Sequence, residues 1–81
     1  MGLLIDDSTF ERANGLLDAG ADIADVAKLF VPAELKLYGD AFWRAAVIEA
    51  GSFDMDYLSR KNIAQLQGLF TFEIRRTRRY F

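Results

Sequence analysis

Eighty-one residues with no cysteine and no histidine set narrow limits. They allow one domain, no disulfide framework, no thiolate metal site, and neither the commonest general base nor the commonest transition-metal ligand. The apolar share is 52%, including one Trp, three Tyr and seven Phe, and the net charge of −2 conceals a split: residues 1–56 carry eleven acids and four bases (−7), residues 57–81 one acid and six bases (+5).

From the N-terminus, Leu3-Leu4-Ile5 is too short an apolar run for a signal peptide, and position six lacks the hydroxyl that myristoylation favours. No run approaches the length of a membrane span, so a soluble cytoplasmic protein is expected. Asp7 precedes Ser8-x-x-Glu11, which has capping-box spacing and predicts a first helix. Phe10, Ala13, Leu16 and Leu17 form its inner stripe and Gly20 its end. Asp22 caps a second helix with Ile23, Val26, Ala27 and Phe30 on one face. Val31-Pro32 stops it, because a residue before proline is pushed out of the helical region. Pro32 suits a first helical position and opens a short piece, Ala33 to Tyr38, that ends at Gly39.

Asp40 as N-cap and Gly51 as a left-handed C′ residue then bracket a helix that is apolar all round, with Trp43 near its middle. Such a helix is normally buried by its neighbours. Beyond Gly51, Asp54 caps a further helix, with Phe53 and Leu58 at hydrophobic-staple spacing. Met55, Leu58, Asn62, Leu66 and Leu69 align along it, and Gly68 weakens or ends it. The last stretch supports two readings. Phe70, Phe72 and Ile74 alternate as in a strand, whereas Ile63, Leu66, Phe70 and Ile74 continue a helix. Helix is preferred, since the only possible strand partner within the chain is Leu3-Leu4-Ile5. The expected fold is all-α, a compact bundle of four or five short helices around Trp43, with the C-terminal segment either helix or a single strand. Residues 1–81 form one domain with a basic arm from about residue 70.

For catalysis the inventory is poor. Ser8, Ser52 and Ser59 have no histidine to activate them, and Asp6, Asp7 and Glu11 are accounted for by a helix start. Asp54-x-Asp56 lacks the third acid, the glycine and the terminal Glu of a calcium loop. No glycine-rich phosphate loop is present. A non-enzymatic protein without cofactor or metal is expected.

Two stretches point to partners. Ile23-Ala24-Asp25-Val26-Ala27-Lys28-Leu29-Phe30 resembles the first helix of helix-turn-helix motifs, which often read Ile-x-x-Val-Ala-x-x-Phe. The resemblance implies a DNA-binding regulator that touches nucleic acid through Lys28, Lys36 and Arg44. The chain departs from that pattern at the turn, where Val31-Pro32 replaces the usual glycine. The following segment also sets Glu34 and Asp40 against Lys36 and Arg44, leaving no excess charge for phosphates. The second stretch is Arg75-Arg76-Thr77-Arg78-Arg79 followed by Tyr80-Phe81, charge combined with rings that can enter a pocket. Arg75, Arg76, Arg78, Arg79, Tyr80 and Phe81 are therefore the expected partner-binding residues, docking on a carboxylate surface of a protein partner or a second copy. The leading expectation is a small interaction module (adaptor, inhibitor or assembly component) that oligomerises, with leftover apolar surface on Leu3, Leu4, Ile5, Phe70 and Phe72. The alternatives are a helix-turn-helix regulator and an acidic mimic of DNA.

Overall fold

Capping chemistry punctuates the chain into five helices and one 3₁₀ turn, seen in a computed structural model that describes residues 7–51 and 53–78. Helix α1 (Asp7–Asp18) opens one residue before Ser8. It closes on a Schellman turn, in which the Gly20 N–H donates to the Leu17 carbonyl at 3.1 Å and the Ala21 N–H to Leu16 at 2.9 Å. Gly20 has φ +87° there, the left-handed conformation that glycine takes without strain. Helix α2 (Ile23–Ala27) starts at Asp22, whose carboxylate accepts from the Ala24 N–H at 3.5 Å. Its end tightens as the Phe30 N–H bonds Ala27 three residues back, and Pro32 prevents continuation. The 3₁₀ turn Ala33–Leu35 follows and stops at Lys36, which is left-handed at φ 50°, ψ 43°.

Helix α3 (Gly39–Ala50) differs from expectation at both ends. It opens at Gly39 behind an extended Tyr38, with no side-chain cap. Asp40 lies inside the first turn, and its carboxylate accepts from Arg44 at 2.8 Å, one turn on. Gly51 is extended, at φ −150°, rather than left-handed. The close neighbour there is a side chain: a Cβ at Gly51 would lie 2.7 Å from Oε1 of Glu73 and 2.9 Å from its Cδ and Cγ, so a larger residue has to displace that carboxylate.

The single long helix expected after Asp54 is two. Helix α4 (Met55–Ser59) begins at Asp54, whose carboxylate accepts from the Asp56 N–H at 3.3 Å. After a break at Arg60–Asn62, α5 (Ile63–Arg78) starts on a reciprocal capping box. The Gln65 N–H donates to the Asn62 carboxamide at 2.9 Å and the Asn62 N–H to that of Gln65 at 3.0 Å. The break turns Met55 and Asn62 to solvent while Leu58 and Leu66 are fully buried. From there α5 runs through Gly68 to Arg78, so the described part of the C-terminal segment is helix.

The α3–α5 pairing is the largest interhelical contact, followed by α1–α5. The core between them is a chain of edge-to-face rings. Phe10 meets Phe30 at 5.3 Å, Phe30 meets Phe70 at 5.3 Å, and Phe70 meets Trp43 at 6.1 Å. Phe70 is the middle link and is fully buried, whereas Trp43 retains 7% exposure. Phe70 therefore belongs to the core and not to the leftover surface expected of it. Phe72, on the other side of α5, is 52% exposed, and Leu3, Leu4 and Ile5 lie outside the described residues. No described helix is long and apolar enough to cross a membrane.

The glycines give opposite expectations. Gly68→Ala, in mid-helix with open space where its Cβ would go, should stabilise the fold by roughly 0.5–1 kcal/mol. Gly51→Ala should destabilise it by about 1–3 kcal/mol, because the buried Glu73 must move. Urea unfolding of the two variants against wild type reads both signs; a neutral or stabilising Gly51→Ala would contradict the close packing of α3 on Glu73.

Candidate partner-docking groove

The arginine run emerges from α5 with its described members already engaged inside the chain. Asn14, 4% exposed on α1, donates to the Ile74 carbonyl at 3.1 Å and to Phe10 at 3.1 Å. Its carboxamide oxygen accepts from Arg75 at 2.8 Å, and the same Nη1 of Arg75 lies 2.9 Å from the Asp18 carboxylate. Asn14 and Asp18 are one turn apart on α1, so one guanidinium spans both. Arg76 sits on Glu73, with its Nη2 2.6 Å from Oε1 and its Nε 3.3 Å from Oε2. The carboxylates sought in another molecule are thus supplied to Arg75 and Arg76 by α1 and α5 of the same chain. The Arg78 side chain and Arg79, Tyr80 and Phe81 lie outside the described residues.

Two other sequence candidates, Lys28 and Lys36, are brought to one place. They line an open groove of about 310 Å³ with Val31, Pro32, Ala33, Leu37, Tyr38 and Phe42. The break at Pro32 creates it: α2 ends, the chain makes a single 3₁₀ turn, and Leu37 and an extended Tyr38 lead into α3. The floor is anchored to the core from both sides. Val31 adjoins Phe30 and is buried, and the Phe42 ring meets Trp43 edge-on at 5.3 Å. Leu35 and Tyr38, 56% and 78% exposed, extend apolar surface from this segment.

The groove's charge is one-sided, because both ionisable side chains at its edge other than Tyr38 are lysines. Lys28 reaches Asp25 at 3.6 Å, with both side chains largely solvated. Lys36 has no carboxylate within ion-pairing distance among the described residues. It also holds a left-handed backbone, in which a Cβ is an energetic disadvantage that glycine would remove and asparagine would lessen. Arg44 does not join them. It is bonded to Asp40, and that guanidinium holds the Asp40 carboxyl below the usual carboxylate range. This exposed pair adds a small stabilisation above the unfolded carboxyl's pKa and loses it as pH falls through the folded one.

Sequence reasoning did not single out Leu37, Tyr38 and Phe42, which line the groove. The available signal was Leu35-x-Leu37-Tyr38 directly after a proline stop, large apolar side chains with no helix face to hide them.

The Asn14 clasp should be a structural element with a measurable coupling. Asn14→Ala removes the bonds to the Phe10 and Ile74 carbonyls and to Arg75 together and should cost about 1–3 kcal/mol. A double-mutant cycle with Arg75→Ala in urea unfolding should return a coupling of about 0.5–3 kcal/mol. A coupling near zero would mean that the two side chains hold α1 and α5 independently.

Comparison with known proteins yields no match, whether of a family model, a curated protein or a solved structure, to this chain.

Proposed function

We propose that the chain is a small non-enzymatic protein-interaction module, an adaptor, inhibitor or assembly component, that docks acidic apolar segments in the groove between Lys28 and Lys36. The observation that carries this reading is the pairing of an apolar lining with two lysines at its edge. A cavity of about 310 Å³ is at the lower end for small-molecule sites. That size suits one or two large side chains of a partner. Tyr38 and Leu35 add exposed surface of the type enriched at protein interfaces. Lysines at the edge select carboxylates and speed association rather than adding much affinity. A cysteine-free chain is at home in a reducing compartment, and we place its action in the cytoplasm.

The DNA-binding reading draws less support. Its segment Glu34 to Arg44 is divided among a 3₁₀ turn, an extended stretch and the start of α3, and Arg44 is held by Asp40. Apolar side chains, not further cations, occupy the space between Lys28 and Lys36.

The test is titration of the isotope-labelled chain with a short peptide of alternating acidic and large apolar residues, followed by amide NMR shifts. Shifts should concentrate between Lys28 and Phe42, and Lys28→Glu with Lys36→Glu should weaken binding roughly tenfold. Shifts spread evenly over α1 and α5, or no effect of the lysine replacements, would overturn the assignment. Duplex DNA retained at physiological salt and lost on the same replacements would put the regulator reading in its place.

A further inference from the structure

Six large apolar side chains are substantially exposed among the described residues: Leu35, Tyr38, Met55, Tyr57, Ile63 and Phe72. Leu35 and Tyr38 belong to the groove segment. Ile63 and Phe72 lie on α5 beside Asn62, Ala64 and Thr71, with no exposed carboxylate next to them. Only Met55 and Tyr57 alternate with exposed acids, in the run Asp54-Met55-Asp56-Tyr57 that forms the start of α4. This is the chemistry that an apolar groove edged by lysines selects.

We propose that the groove of one copy receives α4 of a second copy, so that the chain associates head to tail. The inference rests on the reading of the groove as a docking site and names its occupant. Met55 is the side chain suited to enter the cavity, being 53% exposed, unbranched and adaptable in shape. Tyr57 is a firmer shoulder, stacked on Phe53 at 6.0 Å with Lys61 4.5 Å from its ring centre. Asp56 brings its carboxylate to Lys28 or Lys36, and Lys36 has none of its own among the described residues.

The occupant comes from another molecule because of where the two surfaces sit on α3. The groove is built on the N-terminal end of α3, through Tyr38 and Phe42, whereas α4 follows its C-terminal end at Ala50. Twelve helical residues put about 18 Å between those ends. Donor and acceptor surfaces that differ and lie at opposite ends of one helix make a heterologous contact, which adds copies in sequence or closes a ring. A contact built on two apolar side chains and a few solvated charges belongs to the weak, transient class.

Sedimentation velocity over roughly 10 µM to 1 mM, the range for a weak contact, is the test, together with two variants that touch only exposed side chains. One carries Lys28→Glu and Lys36→Glu, the other Met55→Ser and Asp56→Asn, with far-UV circular dichroism to show that both keep the fold. Wild type should rise above the 9.2 kDa monomer with concentration and fall back as salt is added. Each variant alone should remain monomeric. Mixed, they should form a one-to-one complex, because the intact groove of one meets the intact α4 of the other. Association that survives in both variants would overturn the proposal by placing the contact elsewhere. A wild type that stays monomeric while the acidic apolar peptide still shifts the groove residues would overturn the self-docking inference alone. Failure of both would remove the groove reading as well.

Discussion

The structure depends on the seating of Phe70 between Phe30 and Trp43. Edge-to-face contacts at 5.3 and 6.1 Å tie α5 to the end of α2 and to α3 through one ring, and Phe10 extends the stack to α1. Four elements, three of them twelve residues or shorter and so marginal as isolated helices, are thereby joined by one apolar column. Aromatic pairs of this geometry add to the stabilisation from buried area, which matters in a chain of 81 residues, where little surface can be buried overall. The groove is joined to the same column, since Val31 and Phe42 are the chain neighbours of Phe30 and Trp43.

Polar contacts set how the helices lie on this column. Asn14 ties α1 to the Ile74 carbonyl and Arg75, and Glu73, 5% exposed, is held by Arg76 under the C-terminal end of α3. No buried side-chain nitrogen or oxygen lacks a partner among the described residues. That is the condition under which buried polar groups specify a packing rather than weaken it. The same contacts give both described side chains of the arginine run, Arg75 and Arg76, a structural task, so charge density alone overstates how much of it faces outward.

What the sequence made legible was local. Asp22 and Asp54 cap the helices expected of them because an N-cap acts within three residues, and Gly20 ends α1 for the same kind of reason. Of the helical stripe Ile63, Leu66, Phe70 and Ile74, the last three are fully buried, whereas Ile63, in the first turn of α5, is 40% exposed. The capping box Asn62-x-x-Gln65 was equally local, but the apolar spacing that continues from Leu58 to Leu66 masked it. Gly51 could not have been read correctly. Its close neighbour is Glu73, twenty-two positions away in sequence, brought there by the packing of α3 on α5. The groove was illegible for a related reason: Lys28, the 3₁₀ segment and Phe42 come from three elements, and no spacing rule connects them. Lys28 and Lys36 were singled out from the helix-turn-helix resemblance, while what unites them is an apolar surface.

The most direct measurement of the central claim is urea unfolding of Phe70→Ala and Phe72→Ala, followed by Trp43 fluorescence. The two positions are two residues apart on one helix and chemically identical, so propensity and composition cancel. With Phe70 as the middle link of the column, its truncation should remove about 3–5 kcal/mol, a large part of the stability of a small domain. Truncation of the half-exposed Phe72 should change stability by less than about 1 kcal/mol. Equal losses at the two positions, or a larger loss at Phe72, would contradict the account.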